Sequence, residues 1–449
     1  MKLRPSRRDL ITGAAALAAY SQIGDAKAQT VRKLLLSGGV PSWVPNRANP
    51  PDFAVNWALN QAWKKAGGLI TPSALGITTT RASVKQVSDA NGNWSQVAAN
   101  VTATSALGRS TEEARTNSIP NNSMVGAIAG SPGTLPTGWS GGGTVNGVTQ
   151  TVIGTGIIQG INYIDINYAG TPTASGAAAF SLATSITASQ NQVWTQSAFL
   201  ALMSGSWSNV SAYFDIEEVP SGASDNKILN GVVTSSTLSR IVNIQTLGQS
   251  NTTSISYRFL FYYTISQPIN FTIRIGWPQL EQGASVTSPV VTSGTALTRA
   301  ADVTTMPVTV GSAYTLFEQG APQSPTGYST NQTLLELSNG AGANQFGMFR
   351  LSTGISNFYM SGGSSWNVNG GSLPQNAVAN MAASNNGSAQ NGSVNASLVV
   401  AGTNSTSIAI NQLYLGSSYN GSQFFNGLAT IDAVWLSQAV PNAQLQAMV

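Results

Sequence analysis

The stretch Asp215-Ile216-Glu217-Glu218 is the first place in this sequence where side chains are spaced for chemistry. Successive side chains of a strand point to opposite faces, so on a strand Asp215 and Glu217 share one face and Glu218 takes the other. Two carboxyls on one face could cleave a glycosidic bond. Retaining enzymes hold the pair about 5 Å apart and inverting enzymes hold it wider. A third acid two residues earlier would complete an alternating row, but Tyr213 stands there. The blander reading, a solvated strand end before Pro220, is adopted, with a weak glycosidase using Asp215 and Glu217 kept as a second alternative. In residues 311–449 the acids are Glu318, Glu336 and Asp432, far apart in sequence and with only Arg350 as a base; folding could join two of them, but nothing in the sequence requires it.

The 449-residue chain contains no cysteine and no histidine. That excludes a disulfide framework, a zinc or haem site, a thiol nucleophile and a Ser-His-Asp triad. General acid–base work would fall to carboxylates, Lys or Tyr. Binding chemistry is better supplied than catalysis. Sugars present apolar C–H faces that aromatic rings cover and hydroxyl rims that Asn and Gln amides pair with. Trp366 and Asn367 lie in Gly362-Gly363-Ser364-Ser365-Trp366-Asn367-Val368-Asn369-Gly370, and Tyr419 and Asn420 in Ser417-Ser418-Tyr419-Asn420-Gly421. Trp94 and Trp139 also border glycine-rich turns. These six are the carbohydrate-binding candidates. The alternative for each aromatic is a ring folded over the end of a core. Trp277 and Trp435 sit in strand patterns and are read as core.

Charged residues make up only 8% of the chain, against about 25% in ordinary domains. The net charge of +4 belongs mainly to the first 28 residues, which hold five basic and two acidic side chains; the remainder has 15 basic and 14 acidic, a balance of +1. A neutral surface of amides and hydroxyls suits hydroxyl-rich partners and does not suit nucleic acid. The same 28 residues read as an export leader. Ser6-Arg7-Arg8-Asp9-Leu10-Ile11 has a twin-arginine pattern, a mild apolar run reaches Tyr20, and Ala26-Lys27-Ala28 is a small-x-small cleavage signature. No later run has the ~18 apolar residues of a membrane helix. The mature chain is therefore expected outside the cytoplasm: periplasmic, extracellular or surface-associated.

The elements that would position the candidates are strands. Ile255, Tyr257, Phe259, Phe261, Tyr263 and Ile265 alternate with more polar neighbours, which marks one face against a core. Phe271, Ile273, Ile275 and Trp277 repeat the pattern, and Asn162, Ile164, Ile166 and Tyr168 repeat it more weakly. Glycine, proline and asparagine clusters separate these runs, as in an antiparallel sandwich. The expected fold is all-β, with two tandem antiparallel β-sandwiches of jelly-roll type. The expected division is a leader over 1–28, an irregular lead-in with a hairpin at Asp89–Trp94 over 29–116, a first sandwich over 117–306 and a second over 307–449. Asp52–Ala66 reads as a short helix stopped by Gly67-Gly68. Residues 288–306 read as an exposed connector, and 380–397 as polar strands and loops.

Two groups of motifs resemble known families. Arg81-Ala82-Ser83, Val97-Ala98-Ala99-Asn100, Glu112-Glu113-Ala114-Arg115-Thr116-Asn117, Gly130 to Trp139, Trp277-Pro278-Gln279-Leu280-Glu281-Gln282-Gly283 and Thr298-Arg299-Ala300-Ala301-Asp302 together resemble fibre and head-spike proteins of tailed phages and prophages. There a glycine-anchored EARTN element introduces a carbohydrate-binding-like sandwich. Residues 311–449 resemble the concanavalin A-like, laminin-G-like jelly roll, through Tyr314 to Glu318, Asn376 to Ala379, Phe425-Asn426-Gly427 and Ile431 to Leu436. That resemblance implies a two-sheet fold often used to bind glycans, without a fixed chemistry. Calcium is common in such sandwiches, but with so few acids no site is assigned and no cofactor is expected. The expected function is an exported, non-catalytic adhesin for cell-surface or extracellular polysaccharide. The alternative is a structural protein of a prophage-like particle acting through protein contacts, and a homo-oligomer is compatible with either. A prophage-derived module reused as a secreted protein accommodates both the leader and the fibre-like motifs.

Overall fold

A computed structural model describes residues 39–141, 143–328, 330–361 and 366–449. The leader features Arg7, Arg8, Ala26 and Ala28 lie outside the described residues. The chain builds two antiparallel β-sandwiches, as expected. In the first, a six-stranded sheet centred on Ser254–Tyr263 faces a second six-stranded sheet centred on Ile161–Gly170 and Ile269–Gln282. Tyr257, Phe259 and Phe261 from one sheet meet Ile166, Tyr168, Phe271 and Ile273 from the other. The alternation read from the sequence is the core face, although the strand ends at Tyr263 and Ile265 is exposed.

The second sandwich packs a ten-stranded sheet against a seven-stranded one. Its strands come from more of the chain than expected. Phe53–Asn56 pairs with Gly427–Trp435, Gly108–Thr111 pairs with the same strand, and Thr78–Thr80 pairs with Val303–Pro307. The lead-in is thus not an irregular segment: it completes both sheets of the second sandwich, and the first sandwich is inserted between its strands. The short helix expected over Asp52–Ala66 is instead a hairpin of Phe53–Asn56 and Gln61–Lys64. Phe53, Val55 and Trp57 alternate into the main core while Ala54 faces the other side. That is a period of two, not 3.6. Asn56 Oδ1 accepts the Leu59 N–H at 3.0 Å, and Asn60 takes a positive φ of 51°, which together close the turn. The hairpin at Asp89–Trp94 forms as expected. The terminal helix Asn442–Met448 buries Leu445 on the outer face of the ten-stranded sheet, beside Trp435 and Phe317.

The connector at 288–306 is not exposed along its length. Ser288, Val290, Thr292, Arg299, Asp302 and Thr304 are buried. It runs through the junction between the sandwiches and supplies partners there. Arg115–Asn117 pairs antiparallel with Leu297–Arg299, so the two ends of the inserted sandwich leave side by side. Asp302 receives Arg81 Nη1 at 2.7 Å, Lys85 Nζ at 2.6 Å and the Glu112 N–H at 2.9 Å. Glu112 in turn lies 3.1 Å from Lys85 Nζ and 3.3 Å from Arg299 Nη2, and accepts the Ser288 N–H and hydroxyl at 2.8 and 2.6 Å. Burial opposes ionisation of Glu112, but Lys85, Arg299 and the Ser288 hydrogen bonds outweigh it and hold its carboxyl below the usual range. Arg115 binds the Gln282 carbonyl at 2.6 Å, and its guanidinium fills the place where any side chain at Gly283 would sit.

A second ionic group lies inside the second sandwich. Glu318 and Asp432 are cross-strand neighbours, and Arg109 from the lead-in reaches both, at 3.6 and 3.2 Å. Trp57 Nε1 also donates to Asp432, at 2.7 Å. All three ionic side chains are fully buried. Burial, then the Asp432 charge, pushes the Glu318 carboxyl well above its ordinary value. One guanidinium thus serves one carboxylate, and Glu318 keeps a proton that it can donate to Asp432. Glu318→Gln should therefore cost less than about 1 kcal/mol. Asp432→Asn should cost more, because Arg109 and Trp57 lose their anionic acceptor and buried Glu318 must ionise to supply the counter-charge from 3.6 Å. Urea unfolding of the two variants checks this ordering.

Candidate functional site

The strands Ile355–Met360 and Trp366–Ser372 decide what the second sandwich presents to solvent. They pair with Phe358 opposite Val368 and Met360 opposite Trp366 on the core face. On the other face Tyr359 stands opposite Asn367, and Asn357 opposite Asn369. The same outward row continues across Gly347 to Glu336 and Tyr414. Gly347 leaves room for the Phe349 ring, which lies over it.

The result is a cleft of about 480 Å³ lined by Asn331, Gln345, Phe349, Asn357, Tyr359, Asn367, Asn369 and Gln423, with Leu351. Asn357 Nδ2 donates to Asn367 Oδ1 at 2.7 Å and to Asn369 Oδ1 at 3.0 Å, which fixes a fan of three amides. Tyr359 is half-buried and meets Phe349 edge-on, with centroids 6.4 Å apart. The cleft is an aromatic surface ringed by neutral amides, suited to a hydroxyl-rich ligand. Its titratable neighbour is Glu336, which accepts the Tyr419 N–H at 3.1 Å. Burial raises the Glu336 carboxyl to about 7, against the lowering effect of that N–H and of the Gln345 side chain.

The sequence candidates divide accordingly. Asn367 lines this cleft. Tyr419 is half-buried and Asn420 exposed, both on the loop closed by the Ser417–Phe424 bridge, which also sends Gln423 to the rim. Trp366 requires a correction. Only 3% exposed, it packs between Phe346 and Phe358, and Gly402 lies flat against its ring where no larger residue would fit. As the first residue of its strand it takes the inward position, so its glycine-rich flank misled. Trp139 is also a core ring: it stacks on Phe180 at 4.4 Å and donates Nε1 to the Asn121 carbonyl at 2.7 Å. Trp94 is half-buried and contacts Phe199 and Trp277 at the junction. Asn357, Tyr359, Phe349 and Gln345 were missed. The signal was present as the alternation of Asn357, Tyr359 and of Asn367, Asn369, but only the strand register makes the two rows one site.

Asp215 and Glu217 do share the outer face, with Glu218 turned inward. Arg258 holds both, at 2.8 Å from Asp215 Oδ2 and 2.7 Å from Glu217 Oε2. Burial raises the Asp215 carboxyl, and the Arg258 hydrogen bond and charge counter it. Glu218 accepts the Gly248 and Gln249 N–H groups at 2.9 and 3.0 Å and so pins a loop. Among the described residues no three acids gather as a metal site, so calcium is assigned no place. No described helix is long and apolar enough to cross a membrane.

No protein-family model matches the sequence, and no curated protein matches it. Among solved structures the chain is similar to the CBM40 module of the Ruminococcus gnavus IT-sialidase bound to α2,6 sialyllactose, at 12% identity over 31% of this chain and 84% of that one, with a TM-score of 0.27. It is also similar to domains LG4-5 of the mouse laminin α1 chain, at 12% identity over 59% and 85% of the two chains, with a TM-score of 0.21. A third is the extracellular region of zebrafish Gpr126/Adgrg6, at 12% identity over 64% and 37%, with a TM-score of 0.23.

Glu336 gives the site region a pH signature. Between its ordinary 4.5 and about 7 the folded protein keeps a proton that the unfolded chain has released. Stability therefore falls as pH rises through that window, by roughly 3 kcal/mol in all. Urea midpoints at pH 4.5, 6 and 8 should show this fall in the native protein and a clearly flatter profile in Glu336→Gln. Equal profiles would contradict it.

Proposed function

We propose that this protein is an exported, non-catalytic carbohydrate-binding protein of adhesin type, whose second sandwich holds a neutral stretch of polysaccharide in the Asn357–Tyr359–Asn367 cleft. The observation that carries the reading is the cleft itself: a half-buried tyrosine and an ordered fan of amides, with no free charge in the lining. Such a surface pays little desolvation cost toward hydroxyls and gains from C–H contact with the ring. The pairing of both Asp215 and Glu217 with one arginine, Arg258, supports a structural use of these carboxylates and so a binding role over a glycosidase. The twin-arginine pattern at Arg7-Arg8 and the fibre-like motifs support a prophage-derived module that reaches the cell surface.

A structural role through protein contacts is the second reading. It is favoured by one feature, the strand Val148–Ile158, whose outer half carries exposed Ile153, Ile157 and Ile158 and no charge. An uncharged apolar edge of that kind is a ready pairing surface.

Isothermal titration of the purified protein against a panel of bacterial surface polysaccharides tests the proposal. Saturable binding without release of reducing ends is expected. Tyr359→Ala and Asn357→Ala should each weaken it at least tenfold, about 1.4 kcal/mol, with unchanged folding by circular dichroism. Absence of binding across the panel would favour the protein-contact reading. Reducing-end release abolished by Asp215→Asn or Glu217→Gln would replace the proposal with an enzyme.

A further inference from the structure

The two sandwiches enclose a second cleft, of about 360 Å³, at their junction. One wall, from the first sandwich, carries Arg240 with Val242 and Ile244. The facing wall, from the second, carries Gln323, Gln375 and Asn376. Gln86 and Trp94 of the hairpin also line it, as does Glu112, whose carboxylate is held by Lys85, Arg299 and Ser288.

Arg240 is the unexplained group. Every other arginine of the junction is in an ion pair: Arg81 with Asp302, Arg299 with Glu112 and Asp302, and Arg115 with Glu113. Among the described residues no carboxylate lies within ion-pair distance of Arg240. It makes one hydrogen bond, from Nη2 to Ser197 Oγ at 3.0 Å, and its Nε is buried without a partner. Its guanidinium stands over the Phe199 ring at 5.5 Å, part of the aromatic cluster that includes Trp94. The Glu281 and Glu112 charges act on it only from beyond ion-pair distance. Both carboxylates have closer partners: Glu112 holds Lys85, Arg299 and Ser288, and Glu281 holds Gln279 and Thr287. A guanidinium has five donors in a planar fork matched to a carboxylate. The Nε groups of Arg115 and Arg299 are likewise unpartnered, so what sets Arg240 apart is a cleft-lining guanidinium with no carboxylate in ion-pair distance.

We infer that the junction cleft is an anion-binding site that takes the carboxylate of an acidic sugar residue on Arg240, with Trp94 beside the ring and Gln86, Gln323 and Gln375 toward its hydroxyls. The site is separate from the neutral cleft of the second sandwich and does not depend on it. A charge-assisted pair in a half-enclosed site outweighs a neutral hydrogen bond. The cleft should therefore select a uronic or sialic acid over the corresponding neutral sugar. Because both sandwiches contribute a wall, occupancy also stiffens the junction.

The test is titration of the full chain with glucuronic acid and, in parallel, glucose, read by tryptophan fluorescence and calorimetry. Glucuronic acid should bind at least tenfold more tightly than glucose, and raising salt should weaken it. Arg240→Gln should abolish the difference between the two sugars, while Tyr359→Ala should leave it intact. Gln375→Glu on the exposed facing wall provides a variant independent of the Arg240 packing, and it should lose glucuronic acid by repulsion and by satisfying Arg240 internally. Equal affinity for both sugars, or undiminished selectivity in both Arg240→Gln and Gln375→Glu, would overturn the inference. Loss of selectivity with Tyr359→Ala would move the acidic-sugar site to the other cleft and would overturn it as well.

Discussion

The structure depends on Asp302. Its carboxylate takes three cations, Arg81, Lys85 and the more distant Arg299, and a backbone N–H at the point where the inserted sandwich leaves and re-enters the other. A buried carboxylate of this kind is tolerable only when its partners are fixed in place, since desolvating an ion costs several kcal/mol. The partners come from four separate stretches. Arg81 follows a strand of the second sandwich, Lys85 opens the hairpin, Glu112 begins the exit toward the first sandwich, and Arg299 lies on the way back. Satisfying this one group therefore brings all four stretches together and fixes how the sandwiches meet. The junction cleft and its facing walls are consequences of that arrangement.

The distribution of charge follows the same logic. Acids are scarce in this chain, and most of those present are inside. Glu112, Asp165, Asp215, Glu218, Glu281, Asp302, Glu318, Glu336 and Asp432 are all buried. Most have a structural employment: pairing with arginine or lysine, or pinning a loop, as Glu218 does. What remains for the surface is mainly amide, hydroxyl, glycine and scattered apolar side chains, with few charges. A low-charge composition thus describes a protein that spends its ions on internal specification and presents a neutral exterior. The amide-lined cleft of the second sandwich is the organised part of that exterior.

Local periodicity was legible and register was not. The strand at Ser254–Tyr263 and the hairpin at Asp89–Trp94 followed from alternation and turn residues, and the polar stretch 380–397, read only from its composition as strands and loops, holds parts of Ala379–Asn385 and Ala389–Val394. The hairpin at Phe53–Lys64 was misread because alanine and tryptophan spacing over a dozen residues fits either period until a partner strand is known. Trp277 continues the alternation of Phe271 and Ile275 in sequence, yet a bulge against Val193–Gly205 and a positive φ of 38° turn it out of the main core to join Phe199 and Trp94. Trp366 was misplaced for the converse reason: its glycine-rich flank suggested a loop, while its register opposite Met360 buries it. The motifs that carried the fibre-like resemblance make physical sense together. Arg81, Glu112, Arg115, Arg299 and Asp302 are the charged parts of one junction, and Asn117 accepts the Leu280 N–H across it. Their order in the sequence was visible, but their convergence required the fold.

The most direct measurement is differential scanning calorimetry of the native protein beside Asp302→Ala. If the junction charges join the sandwiches into one body, the native protein unfolds in a single transition. Asp302→Ala then loses about 3–5 kcal/mol, because the buried cations Arg81, Lys85 and Arg299 lose their shared partner, and it separates into two transitions. A native protein that already melts in two steps, or an Asp302→Ala variant with the native profile, would contradict the account.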